Sequence, residues 1–155
     1  MAVLDHIDRR LLSILQDEGR ITNVELAQRV GLTAPPCLRR VRALEEEGLI
    51  RGYHADLDAG KLGFGITVFA MVSLKSQAED ALRAFEAAMR ELPEVREVHM
   101  LNGEIDFMLK IVSRDLQSFQ EFLTSKLTAA PNVASVKTSL TIRTSKLAPG
   151  VPLEA

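Results

Sequence analysis

Three arginines, Arg39, Arg40 and Arg42, follow a Gly-containing turn at Gly31 and a pair of prolines at Pro35 and Pro36. Guanidinium groups clustered on one helix can clamp phosphate oxygens or make two bonds to guanine O6 and N7. The formal net charge of the chain is −2, so attraction to nucleic acid has to come from a local patch of this kind. A second set of residues with chemical potential is Asn102-Gly103-Glu104-Ile105-Asp106. There the Asp106 carboxylate can pair with an ammonium, and amides around Gly103 can receive a carboxylate. The plainer alternative is that Asp106 accepts the amides of its own turn.

Other chemistries find no support in the residue pattern. His6, His54 and His99 are scattered without ligand spacing, and Glu45–Glu47 reads as a solvated helix end, so no metal site is expected. There is no Gly-rich phosphate loop, Ser-His-Asp pattern or CxxC, so neither an enzyme nor a cofactor is expected. Phe119, Phe122 and Leu123 read as core or interface. The single cysteine, Cys37, forbids an intramolecular disulfide and suits a packing or groove-edge position. The first residues carry acids at once and lack an apolar leader, and no apolar run is long enough for a bilayer. A cytoplasmic location without membrane partners is the expectation.

Helical periodicity places these residues. Leu4, Ile7, Leu11, Leu12, Ile14 and Leu15 recur at helix spacing, with Asp5 as N-cap. Thr22 and Glu25 fit a capping box for a second helix, with apolar positions at Val24, Leu26, Ala27 and Val30 and a stop at Gly31. Thr33 caps a third helix whose first turn tolerates Pro35 and Pro36. Leu38, Val41 and Leu44 are its expected buried stripe. Thr33, Ala34, Pro36, Cys37, Arg39 and Arg40 then fall at outward or edge positions, with Arg42 beside the stripe. Two helices joined by a tight turn can seat the second in the major groove, so the candidate DNA contacts are Thr33, Pro35, Pro36, Cys37, Arg39, Arg40 and Arg42. The bland alternative is a solvated face, with Arg42 paired to Glu45 or Glu46. Those acids oppose the helix dipole and would repel phosphate, which makes the N-terminal half the reading end.

Leu49–Leu57 alternates enough for a wing or linker strand, and Gly60, Gly63 and Gly65 mark a boundary. Beyond it, strands are predicted at 66–74, 95–101, 107–112 and 133–142, with helices marked by Leu82, Phe85, Met89 and Leu92 and by Leu116, Phe119, Leu123 and Leu127. Asn102-Gly103 reads as a tight hairpin turn. The order is βαββαβ. Leu92-Pro93-Glu94-Val95 matches Ala130-Pro131-Asn132-Val133 at an offset of 38 residues, which supports a duplicated split βαβ unit with both helices on one face. Phe69, Met71 and Met108 would line the other face, an expected surface for self-association.

The chain resembles the feast/famine, or Lrp/AsnC, family of transcriptional regulators. The likeness is carried by Leu4-Asp-His-Ile-Asp8, Gly19-Arg20-Ile21, Asn23-Val-Glu-Leu26, Val30-Gly31-Leu32-Thr33, Pro36-Cys37-Leu38 and Gly48-Leu49-Ile50. Gly103-Glu-Ile-Asp106 resembles the family's Gly-Asp/Asn-x-Asp turn, with the longer Glu104 as a departure at the pocket mouth. The resemblance implies an α+β protein: an N-terminal, winged helix-turn-helix domain followed by a ferredoxin-like βαββαβ effector and oligomerisation domain. The expected divisions are residues 1–50 for the DNA-binding domain, 51–64 for strand and linker, 65–144 for the effector domain and 145–155 for a C-terminal tail. The resemblance also implies double-stranded DNA as partner, a homodimer assembling to a tetramer or octamer, and a small amino-acid effector. By position it places that effector at Leu101, Asn102, Gly103, Asp106 and Ser139. The expected function is a sequence-specific transcription regulator. The rival readings are an architectural DNA-wrapping protein and a small-molecule sensor with a vestigial DNA head.

Overall fold

The computed structural model describes residues 4–153, and the chain divides into two compact units. One unit runs to Asp56 and takes in the segment from Lys146 onward; the other is Leu57–Ser145.

The first unit, the head, packs three helices: α1 (His6–Asp17), α2 (Asn23–Val30) and α3 (Ala34–Glu46). Each of the first two begins with a reciprocal cap. The Asp5 carboxylate accepts the Asp8 N–H at 2.8 Å while Asp8 accepts from the Asp5 N–H, and Thr22 and Glu25 do the same for α2. Gly31 closes α2 at φ 74°, a left-handed conformation that glycine adopts without a Cβ penalty, and the Leu32 N–H returns to the Ala27 carbonyl at 2.8 Å. Asn23 donates its side-chain amide to the Ala34 carbonyl at 2.8 Å, which joins the start of α2 to the start of α3.

The head core is Leu11, Leu26, Ala27, Val30, Cys37, Val41 and Leu44. This corrects the expected stripe on α3. Cys37 is fully buried, whereas Leu38 is 38% exposed. The reason is angular. At 100° per residue, positions 37, 41 and 44 fall within a narrow arc, while 38, 41 and 44 drift steadily around the helix. Val24, also expected inside, is exposed.

The strand expected over Leu49–Leu57 is not formed. Residues 51–57 are exposed and carry no regular structure. Gly48, at φ 74°, turns the chain out of α3, and the Leu49 and Ile50 N–H groups both return to the Leu44 carbonyl. Among the described residues no strand lies alongside, and an extended segment without a partner has no ladder to join. The segment after Lys146 is more than a tail. Its Val151 N–H and C=O are both bound by the Gln16 side-chain amide, each at 3.1 Å, so it belongs to the head.

The second unit is a four-stranded antiparallel sheet in the order β2-β3-β1-β4, built from β1 (Ile66–Leu74), β2 (Val95–Met100), β3 (Phe107–Ser113) and β4 (Val133–Leu140). Helices α4 (Glu79–Arg90) and α5 (Leu116–Phe122) complete the βαββαβ order. Alternation along the strands sends Val68, Ala70 and Val72 of β1 and Phe107, Leu109 and Ile111 of β3 into a core closed by Leu82, Phe85, Met89, Phe119, Phe122 and Leu127. The last turn after α5, Leu123–Leu127, is π-helical, with the Thr128 N–H on the Leu123 carbonyl at 2.9 Å. The wider turn lets Phe122 and Leu127, five residues apart, both face inward. The internal repeat is visible in the backbone: Val95 N–H bonds Leu92 C=O, and Val133 N–H bonds Ala130 C=O, at matching points of the two halves.

Candidate nucleic-acid interface and effector turn

Packing of Cys37, Val41 and Leu44 fixes which side of α3 faces outward. The exposed face carries Pro35, Leu38, Arg39, Arg42, Ala43 and Glu46 around a shallow concavity of about 370 Å³. Thr33 stands exposed at the N-cap with its side chain making no cap bond, and Pro36 is half-buried. Arg39 and Arg42 are exposed and form no ion pair among the described residues. The pairing of Arg42 with Glu45 or Glu46 raised as the bland alternative is therefore not formed; Glu45 instead accepts a 2.9 Å hydrogen bond from the Tyr53 hydroxyl. Burial and that bond push the Tyr53 pKa up to about 12.

Arg40 is placed differently. One guanidinium nitrogen lies 2.8 Å from both Asp5 and Asp8, tying α3 to the N-terminus of α1. Its hydrogen bonds to Asp8 and then to Asp5 raise its pKa above the ordinary arginine value. In return the Asp5 carboxyl is held below its usual range, first by the Asp8 backbone N–H and then by Arg40. Cys37 is no groove-edge residue: it is fully buried, and burial pushes its thiol pKa up.

In the sheet unit, Leu101–Asp106 is a six-residue connection. The Leu101 N–H donates to the Asp106 carbonyl at 2.9 Å, leaving Asn102–Ile105 as the loop. The tight Asn-Gly turn expected here is not formed, and Gly103 does not take positive φ. Asp106 binds backbone on three sides. Its N–H donates to Val72 C=O at 3.0 Å, its carbonyl accepts from Leu101, and its Oδ2 accepts the Leu74 N–H at 2.6 Å. The Asp106 carboxylate thus takes the amide at the end of the neighbouring strand and, among the described residues, none from its own loop, whose Leu101 N–H goes to the Asp106 main-chain carbonyl.

Leu101, Asn102, Gly103 and Asp106 are brought together by this loop. Ser139 is not. It pairs with Phe69 in the middle of β1, whereas the Asp106 level of the sheet is that of Ser73 and Ser135, about 13 Å further along β4. Two residues missed in the sequence join the turn instead. The Gln77 side-chain amide lies 3.4 Å from Asp106 Oδ2 and 3.3 Å from the Leu74 carbonyl. Asn132, at φ 67°, grips Ser76 through both its N–H and its C=O and so holds the loop that carries Gln77. An asparagine directly after Pro131 at a helix-to-strand turn was the available signal, since Asn tolerates the left-handed region.

Comparison with known proteins completes the description. Residues 4–51 match the winged helix-turn-helix DNA-binding model, and residues 67–151 match the Lrp/AsnC ligand binding domain model. A leucine-responsive regulatory protein of Rhizobium meliloti is 56% identical over 140 residues, covering 90% of each chain. The Bkd operon transcriptional regulator of Pseudomonas aeruginosa is 43% identical over 153 residues, covering 99% of this chain and all of its own length. Among solved structures, a transcriptional regulator from Neisseria meningitidis in complex with L-methionine matches with a TM-score of 0.93 and 36% identity over 97% of each chain.

Proposed function

The chain belongs to the Lrp/AsnC family of DNA-binding transcriptional regulators, and from that premise we propose that Arg39 and Arg42 carry operator recognition under control of an amino-acid effector. The observation behind this reading is the outward face of α3, where both arginines stand clear of the core and form no ion pair among the described residues, although Glu46 lines the same concavity. Thr33 and Pro35 flank them at the N-terminal end, where base edges are met in this docking geometry. Arg40 acts in this reading as the clamp that sets the angle between α1 and α3, and Pro36 as part of the helix start.

The effector reading rests on the ligand-binding domain match and on the relative bound to L-methionine. The Leu101–Asp106 loop offers an acid, and the end of β1 beside it a carbonyl, Leu74 C=O, both already approached by one NH₂ group, that of Gln77. An acid beside a carbonyl is a fitting receptor for an α-ammonium group. Ser139 enters the pocket in this proposal only from a second copy. Phe69, Met71 and Met108 share the sheet face turned away from the helices and supply an apolar surface for that copy. A homodimer, closing further into tetramers or octamers, would present paired heads to a pseudo-palindrome. The protein acts by binding rather than by catalysis, in the cytoplasm.

A mobility-shift titration against the upstream region of its own gene tests the DNA half. Arg39→Ala with Arg42→Ala should weaken binding and flatten the salt dependence by about 1 in log–log slope for each phosphate no longer neutralised. Unchanged affinity would reject the assignment. A thermal-shift screen of the amino acids tests the effector half, because a ligand that binds only the folded state raises its melting temperature. Asp106→Asn keeps an acceptor for Leu74 but removes the charge, so the shift should vanish while the unliganded protein remains folded.

A further inference from the structure

Leu38 is the unexplained residue on the α3 face. A helix that buries Cys37 and leaves the neighbouring leucine 38% exposed has put its larger apolar side chain on the wrong side for stability. Leu38 lies on the outward face with Arg39 next to it and Arg42 one turn on, and with Pro35 one turn before. It is the fifth residue of α3, in the half that meets base edges when such a helix docks. The acids of this helix, Glu45 and Glu46, are at its C-terminal end, where Glu46 lines the same concavity about two turns on from Leu38. Charge complementarity therefore directs this part of the face at a polyanion, and an apolar side chain beside two guanidinium groups is carried in with them. The thymine C5-methyl is the apolar group that a base pair presents in the major groove.

We propose that Leu38 is a specificity-determining residue that packs on the methyl group of one thymine in each half of the operator. The inference rests on the reading that α3 enters the major groove. Arg39 and Arg42 then supply affinity and register, while Leu38 selects thymine over cytosine at a position without any hydrogen bond. Desolvating one methyl group corresponds to roughly three- to fivefold in affinity per half-site.

The test uses the full chain. Wild-type protein selects sites from a randomised duplex pool, and the enriched duplex is remade with each thymine replaced singly by deoxyuridine, which removes the methyl and leaves the hydrogen-bonding edge intact. Wild-type binding should drop roughly three- to fivefold at one uridine position per half-site. Leu38→Ala should bind the unmodified duplex more weakly and be indifferent to uridine at that same position. Because Leu38 is exposed, the variant should keep its melting temperature. A flat uridine scan with wild-type protein overturns the proposal, as does an equal loss in wild type and Leu38→Ala. Weaker binding by Leu38→Ala with a flat scan and a changed oligomeric state would assign the side chain to a protein contact instead. Arg39→Ala with Arg42→Ala separates the two layers. If the double variant loses binding while the scan is flat, the groove assignment stands and the thymine contact fails. If it binds like wild type, or if selection enriches no sequence, the groove assignment itself fails.

Discussion

Arg40 and Arg42 stand two residues apart on one helix and have opposite surroundings. Arg40 is held by Asp5 and Asp8, whereas Arg42 faces outward without an ion pair among the described residues. Nothing in the local spacing separates them, because the acids that take Arg40 are more than thirty residues earlier in the chain. Arg40→Ala should therefore act on the head's folding more than on its DNA contacts. The expected loss is roughly 1 kcal/mol in a denaturant titration, the scale of a partly exposed charge network, with a smaller change in DNA affinity than Arg42→Ala produces. The same clamp has an acid limit. Asp5's folded pKa lies below its ordinary value, so its contribution is complete above the usual carboxylate range and is lost as pH falls through the folded value. Tyr53 gives the opposite sign. With a folded pKa of about 12 against an ordinary value of about 10, its neutral form favours the folded head below pH about 10 and ceases to do so as pH rises through about 12. The chain has one tyrosine and no tryptophan, so ultraviolet absorbance of the phenolate reports this group alone. Half-ionisation near pH 12 is expected, and Glu45→Ala should lower it only in part, since burial, the larger cause, stays while the hydrogen bond and the nearby charge are removed.

At the level of elements, most boundaries were readable because their signals are local. The caps at Asp5 and Thr22, the stop at Gly31 and the nearly continuous apolar, β-branched run of β1 are each written within a few residues. The failures had non-local or angular causes. Leu38 and Cys37 are adjacent and both apolar, and only the arc defined jointly with Val41 and Leu44 decides between them. The extended run after Ile50 has the composition of a strand but finds no partner among the described residues. Asn102-Gly103 has the composition of a tight turn, but the neighbouring strand claims Asp106 and stretches the connection to six residues. Asn132 is the element-level part most exposed to test. It supplies the left-handed turn before β4 and both bonds to Ser76. Asn132→Ala should destabilise the sheet unit by about 2 kcal/mol, combining a strained φ with two lost hydrogen bonds. Hydrogen exchange should show the Lys75 and Ser76 amides, which Asn132 binds, opening first.

For the molecule as a whole, the duplicated βαβ order was legible through the Leu92-Pro93 and Ala130-Pro131 repeat. The division of the candidate site was not legible. The resemblance groups Ser139 with Asp106, but strand register sets them at different levels of one sheet. Nor did anything in residues 145–155 announce that Val151 would be held by Gln16. Gly150 is the point to probe. It sits at φ 66°, and a Cβ there would collide with the Gln16 side-chain oxygen, so Gly150→Ala should release the clasp and lower the head's melting temperature. Gln16→Ala should do so too, and the double variant should be no worse than either alone. This clasp also imposes an order in time. A ribosome that has made α1, α2 and α3 has not yet made the residues that close over Gln16. The whole of Leu57–Ser145 is translated first, so the nascent head waits, partly uncovered, until its last piece emerges.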